Sequence, residues 1–131
     1  MSCYNLAEFI GDSTKTGNTI GGIVGYITYS NVINCYTTSR VDGRTIVGVA
    51  IGRSRYGPTN VANVYYLQRT DNNTLAGIGH SATNLSGELT GLTDTYMKSQ
   101  NFVTDLNNSI PQSLSGLQIV WKYNSGKYPS F

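Results

Sequence analysis

The sequence predicts a mainly β protein: a short right-handed β-solenoid of about two coils of ~29 residues, followed by a small mixed α/β C-terminal cap. Three observations predict it. The stretch Ile20-Gly21-Gly22-Ile23-Val24-Gly25-Tyr26 returns 27 residues later as Val47-Gly48-Val49-Ala50-Ile51-Gly52-Arg53. A second landmark, a polar residue, a small apolar residue and an aromatic, occurs as Ser2-Cys3-Tyr4, Asn34-Cys35-Tyr36 and Asn63-Val64-Tyr65, at steps of 32 and 29 residues. Only 12% of the 131 residues are charged and 39% are apolar, so Ser, Thr, Asn, Gly and Tyr must make most of the surface, a composition poor in helix formers.

The first unit runs from Ser2 to Ile33 and the second from Asn34 to Ala62. Turn-forming stretches at Asp12 to Asn18, at Asp42-Gly43 and at Tyr56 to Asn60 separate short runs rich in Ile, Val, Thr and Tyr, which read as strands of about five residues. Successive coils of this length stack at the ~4.8 Å strand spacing, with equivalent residues above one another. The leucine-rich frame is absent, and a propeller blade of about 40 residues would leave too few blades. Residues 1–67 are therefore the coils, and 68–131 a capping segment compact with them.

Within that segment, Gln68 to Gly91 is polar and dotted with glycine, which predicts loops with at most one short strand pair. Thr93 or Asp94 can cap a short helix through about Gln100. Tyr96, Met97, Phe102, Val103 and Leu106 are its apolar anchors, and Asn107-Asn108 ends the helical region. Pro111 precedes a predicted strand, Leu117 to Trp121, and Asn124-Ser125-Gly126 turns the chain toward Lys127-Tyr128-Pro129. A solenoid end exposes strand edges that template association, and the last third is expected to cover that end.

Net charge is +2, and the nine basic residues form no run, which excludes a nucleic-acid footprint. No stretch reaches the ~18 consecutive apolar residues of a membrane span, so no membrane insertion is expected in this segment. Two cysteines make neither a disulfide framework nor a CxxC metal motif, and no metal or other cofactor is expected.

Cys3 and Cys35 occupy one repeat position and should stack inward. The layer spacing permits a disulfide by its Cα range, but in-register parallel neighbours hold their Cβ atoms too far apart for good geometry, which favours two buried thiols. Gly77-Ile78-Gly79-His80-Ser81-Ala82 imitates a dinucleotide fingerprint, but no buried strand precedes it and no helix follows, so it reads as a glycine turn. Glu8, Asp12, Asp42, Asp71, Glu88, Asp94 and Asp105 are isolated and do not recur at the repeat period, so no catalytic residue is assigned. Tyr4, Tyr36 and Tyr65 should form a ladder, either as cross-strand packing, the better reading, or as an exposed surface on which sugar rings could stack. Sequons at Asn72, Asn84 and Asn107 are what a Ser/Thr/Asn-rich chain yields by chance. Ile20, Gly21, Gly22, Gly25, Gly48 and Gly52 are structural repeat positions, with Gly21 over Gly48 and Gly25 over Gly52. Because apolar residues fall on both parities of this run, its buried face is left open, and a cap folded against its outside would bury both.

Gly-Gly-Ile-Val-Gly-Tyr followed by Asn-Cys-Tyr resembles the GLUG repeat of large bacterial secreted and cell-surface proteins. Tyr65-Tyr66-Leu67, Gly77-Ile78-Gly79, Leu92-Thr93, Met97 to Gln100, Phe102, Trp121 and Gly126 to Pro129 resemble the segment that ends such arrays. The resemblance implies the end of a repeat array in an adhesin-like protein, extracellular or on the bacterial surface, stacked on upstream repeats of the same chain and able to meet a host or matrix glycan or protein. Met1 stands directly before the first landmark, as expected of a piece of a longer protein. The expected function is a non-catalytic structural or adhesion module. The alternatives are a carbohydrate-binding module using the tyrosine ladder and, further off, a fragment of a β-helical polysaccharide-active enzyme.

Overall fold

A computed structural model describes residues 2–11, 14–43, 45–56, 58–71, 75–80, 85–110 and 120–131. Among the described residues, nine strands precede residue 68: β1 (Cys3–Asn5), β2 (Phe9–Ile10), β3 (Thr19–Gly21), β4 (Val24–Ile27), β5 (Asn31–Thr37), β6 (Val41–Asp42), β7 (Ile46–Gly48), β8 (Ile51–Ser54) and β9 (Thr59–Leu67). Two more, β10 (Ile78–His80) and β11 (Leu85–Leu92), precede the helices α1 (Asp94–Met97) and α2 (Gln100–Asn108). The fold is mainly β with a small helical C-terminal part.

The strands form four separate sheets, ordered β1-β5-β9-β11, β10-β8-β4, β2-β6 and β3-β7, and their pairs are all parallel. Registers follow the sequence landmarks. Cys3 pairs with Cys35 and Cys35 with Val64; Ile20 pairs with Val47, and Gly21 with Gly48. Val24 pairs with Ile51, which pairs in turn with Ile78.

The expectation of loops between Gln68 and Gly91 is not met. Segment 75–80 is a third copy of the glycine run: β10 lies on β8, and the amides of Ala50 and Ile51 both bond the carbonyl of Gly77, as those of Ile23 and Val24 bond that of Ala50. Gly77-Ile78-Gly79 is therefore no simple turn. The spacing was visible, since Val24, Ile51 and Ile78 stand 27 residues apart, as do Gly25, Gly52 and Gly79. It is hidden because Leu75 and Ala76 replace the opening glycines. β11 likewise continues β9, with Leu89 beside Val64 and Thr90 beside Tyr65.

Two apolar clusters sit on opposite faces of the four-stranded sheet. The first, between that sheet and the β4-β8-β10 sheet, holds Ile27, Val32, Cys35, Ala50, Ile51, Val61 and Val64. The second holds Tyr36, Leu67, Met97, Phe102, Val103, Leu106 and Trp121, with Tyr65 and Leu92 against it. Cys35 faces one cluster and Tyr36 the other, as strand alternation requires. Val32 and Cys35 share a cluster although three residues apart, and so do Val61 and Val64. The asparagines between them explain this: Asn34 (φ 54°) and Asn63 (φ 53°) are left-handed, and each such residue shifts the parity of its strand. Asn is among the few side chains that tolerate that backbone at modest cost, which is why the landmark begins with it.

The helical part differs from expectation. It is two helices: the Thr93 hydroxyl caps α1 by accepting from the Tyr96 amide at 3.3 Å, and the Ser99 hydroxyl caps α2 by accepting from the Phe102 amide at 3.3 Å. Ser99 interrupts the helix because it takes this capping role, a role the sequence reading did not assign. The buried side chains of both helices pack on the face of the four-stranded sheet, along the tyrosine column and against Leu92 of β11. The predicted strand at Leu117 to Trp121 lies mostly outside the described residues. The Asn124 to Gly126 turn is present, with Gly126 at φ 69° and the Lys127 amide donating to the Asn124 carbonyl at 2.9 Å. No described helix is long and apolar enough to cross a membrane.

Candidate functional site

The repeat positions resolve into three columns with different physical roles. In the first, Cys3 and Cys35 are both thiols, with sulfurs 2.9 Å apart, and the Cys35 thiol also lies 3.2 Å from the Ile33 carbonyl. Cys35 is buried and Cys3 half-buried, and both, with Val24, Tyr26, Ile27 and Val32, line a cavity of about 400 Å³ beside the outermost strands β1 and β4. The hydrogen bond between the two thiols draws the Cys3 thiol below its ordinary value, while that same bond and burial push Cys35 up.

The second column is the tyrosines. Tyr4 stacks on Tyr36 with centroids 5.6 Å apart and planes 11° from parallel. Tyr36 is fully buried, edge-on to Phe102 and tilted against Trp121, and its hydroxyl donates to the Pro129 carbonyl. Tyr65 meets Phe102 at 90°. Tyr36 is inaccessible and Tyr65 is half-buried against α2, while Tyr4 keeps 37% of its surface exposed, so two of the three rings pack against the helical part. The reason is the cap's position on this face, which sequence periodicity does not encode.

The third column is the glycine run. The chain bends at Gly22-Ile23 and again at Val49-Ala50. A Cβ on Gly21 would stand 2.3 Å from the Val24 carbonyl oxygen, and one on Gly52 2.7 Å from that of Ile20, so β3 lies face to face with β4 and β8 at close range. Sheets carrying side chains pack about 10 Å apart, and only glycine faces come closer. The open question of the buried face is thereby answered. Ile23, Val24, Ala50 and Ile51 turn into the first cluster, while the Ile20 and Val47 side chains lie over Gly11 and Gly43. The outer cover is the preceding half of the same run and not the C-terminal cap.

Of the described acids, Asp71, Asp94 and Asp105 are engaged structurally. Asp94 accepts from Lys98 at 2.8 Å and from the Tyr128 hydroxyl; Asp105 accepts from the Tyr96 hydroxyl at 2.6 Å; Asp71 pairs with Arg69 at 2.8 Å and Arg40 at 3.7 Å. Asp12, Asn72 and Asn84 lie outside the described residues. Asn107, a sequon residue, is committed to the fold: its amide donates to the Trp121 carbonyl at 3.0 Å and accepts from the Trp121 amide at 2.9 Å. Among the described residues no three of His, Cys, Asp and Glu gather as metal ligands, and exposed His80 pairs with Arg53 in the sheet. Compared with protein-family models, curated proteins and solved structures, the chain matches none.

Proposed function

We propose that this chain is a non-catalytic structural module: coils of a right-handed β-solenoid at the terminating end of a repeat stalk, in a GLUG-like, adhesin-type bacterial surface or secreted protein. The observation that carries the reading is same-slot parallel pairing through three layers, Val24 on Ile51 on Ile78, at one 27-residue step. In this reading the coils run to Leu92 and the segment 93–131 braces their side, reaching from Tyr4 in β1 to Leu92 in β11. Upstream repeats of the same chain would stack on β1 and β4, where Leu6, Phe9, Ile10 and Tyr26 are exposed and the cavity opens. Adhesion to a host or matrix glycan or protein would then belong to the whole stalk.

A variant with a second copy of residues 34–62 inserted ahead of Ser2 tests this. Repeat arrays gain stability with each nearest-neighbour interface, so the variant should melt higher than the parent and lengthen by about 5 Å in small-angle scattering. A lower melting temperature, or a copy that stays unfolded, would sink the stacking proposal.

A further inference from the structure

We propose that Cys3 and Cys35 are an oxidisable pair that closes to an intramolecular disulfide, stapling strand β1 to β5. Their residues are direct partners in the parallel register, and their sulfurs already stand 2.9 Å apart. A disulfide needs about 2.05 Å between sulfurs, with Cβ atoms about 3.5–4.5 Å apart. Ordinary in-register parallel neighbours resist that approach. Here β1 is three residues long and the outer strand of its sheet, bonded to β5 alone among the described strands, so closing the remaining ångström shifts one strand pairing and not two.

Exposure assigns the two sulfurs different tasks. Both residues line the cavity, but Cys3 is half-buried whereas Cys35 is 1% exposed, so Cys3 is the sulfur an oxidant reaches first. The oxidant is a small disulfide, RS–SR, such as oxidised glutathione. The Cys3 thiolate attacks one of its sulfurs; a Cys3–SR bond forms, the RS–SR bond breaks, and RS⁻ leaves to take up the proton Cys3 gave to solvent. Cys35 then loses its proton and attacks the Cys3 sulfur. The Cys3–Cys35 bond forms and the second RSH departs, so two electrons and two protons pass from the protein to the oxidant. The hydrogen bond that favours the Cys3 thiolate favours the first step.

The test uses the whole chain, folded, in millimolar oxidised glutathione, quenched with acid, alkylated and weighed. The protein should lose both thiols and about 2 Da, with no glutathione retained. Hydrogen exchange at Tyr4 and Asn5 should slow on oxidation. Cys35→Val, which installs the residue standing at the equivalent Val64, should retain glutathione on Cys3. Cys3→Val should react at least about tenfold more slowly than the parent, because only the buried sulfur remains. A parent that retains glutathione, forms intermolecular dimers, or reacts only in denaturant overturns the proposal. Circular dichroism of both variants checks that each is folded before its reactivity is read.

Discussion

Gly52 offers the sharpest test of the close backbone approach. Replacing it with Ala places a methyl carbon 2.5 Å from the Gly25 carbonyl oxygen and 2.7 Å from that of Ile20. Both obstacles are backbone, so no side chain can swing aside, and the gap is roughly an ångström short of ordinary contact. Relief requires the β8 layer to move off β4, stretching the amide bonds that hold it. Overpacking costs about 1–3 kcal/mol and occasionally more, and the smaller conformational freedom of Ala in the unfolded chain returns about 0.4–1 kcal/mol. With every obstacle in the backbone, the overpacking cost should lie near its upper end, which leaves a net loss of about 2–2.5 kcal/mol, or a melting temperature lower by about 8 °C for a chain of this length. The internal control is Gly25→Ala. It occupies the same column one layer earlier, but its Cβ would stand 3.1 Å from the Thr19 carbonyl oxygen, a tight contact that a shift of a few tenths of an ångström relieves. Its melting temperature should stay within about 4 °C of the parent. Equal melting of the two variants, followed by circular dichroism, would refute the interlocked glycine faces.

Three further outcomes are expected. Asn63 is exposed and left-handed, so Asn63→Gly should change stability by no more than a few tenths of a kcal/mol, whereas Asn63→Val should lose about 1–2 kcal/mol in urea unfolding; equal stability of the two would mean the parity shift needs no left-handed residue. Tyr36→Phe removes the buried hydroxyl that holds the Pro129 carbonyl and should cost about 1–3 kcal/mol, with faster hydrogen exchange between Trp121 and Phe131; unchanged exchange there would show that the contact does not tether the C-terminus. The phenols of Tyr36, Tyr65 and Tyr128 are all raised, foremost by burial, and Tyr128 reaches about 12. Their neutral forms belong to the folded state, so stability should be full below the ordinary value of 10 and fall as pH rises from there through about 12. Denaturant titration alongside tyrosinate absorbance checks this, and flat stability across that window would contradict it.

Much of the layering was legible in the chain itself. Parallel in-register stacking sets like residues over like, so Cys3 over Cys35 and Ile20 over Val47 could be read from spacing alone, and the Asn-Cys-Tyr and Asn-Val-Tyr landmarks carried a backbone demand besides a pattern. The third layer is faint in the sequence because β10 needs only Ile78 and the glycines that flank it, and Leu75 and Ala76 stand where the first copy has Gly21 and Gly22.

What spacing could not supply is which surface meets which. A strand's period states that Cys35 and Tyr36 point to opposite faces, but both faces are buried here, one by β8 and the other by α2 and Trp121, and the choice depends on contacts up to 93 residues apart in sequence. The glycine run behaved in the same way. Its sequence left the buried face open, and only the bends at Gly22-Ile23 and Val49-Ala50 decided that the approaching surface is the run's own preceding half. Sequence determined the layers, because stacking is a local repeat. Tertiary structure decided the faces, because burial is settled by whatever distant segment arrives to exclude water.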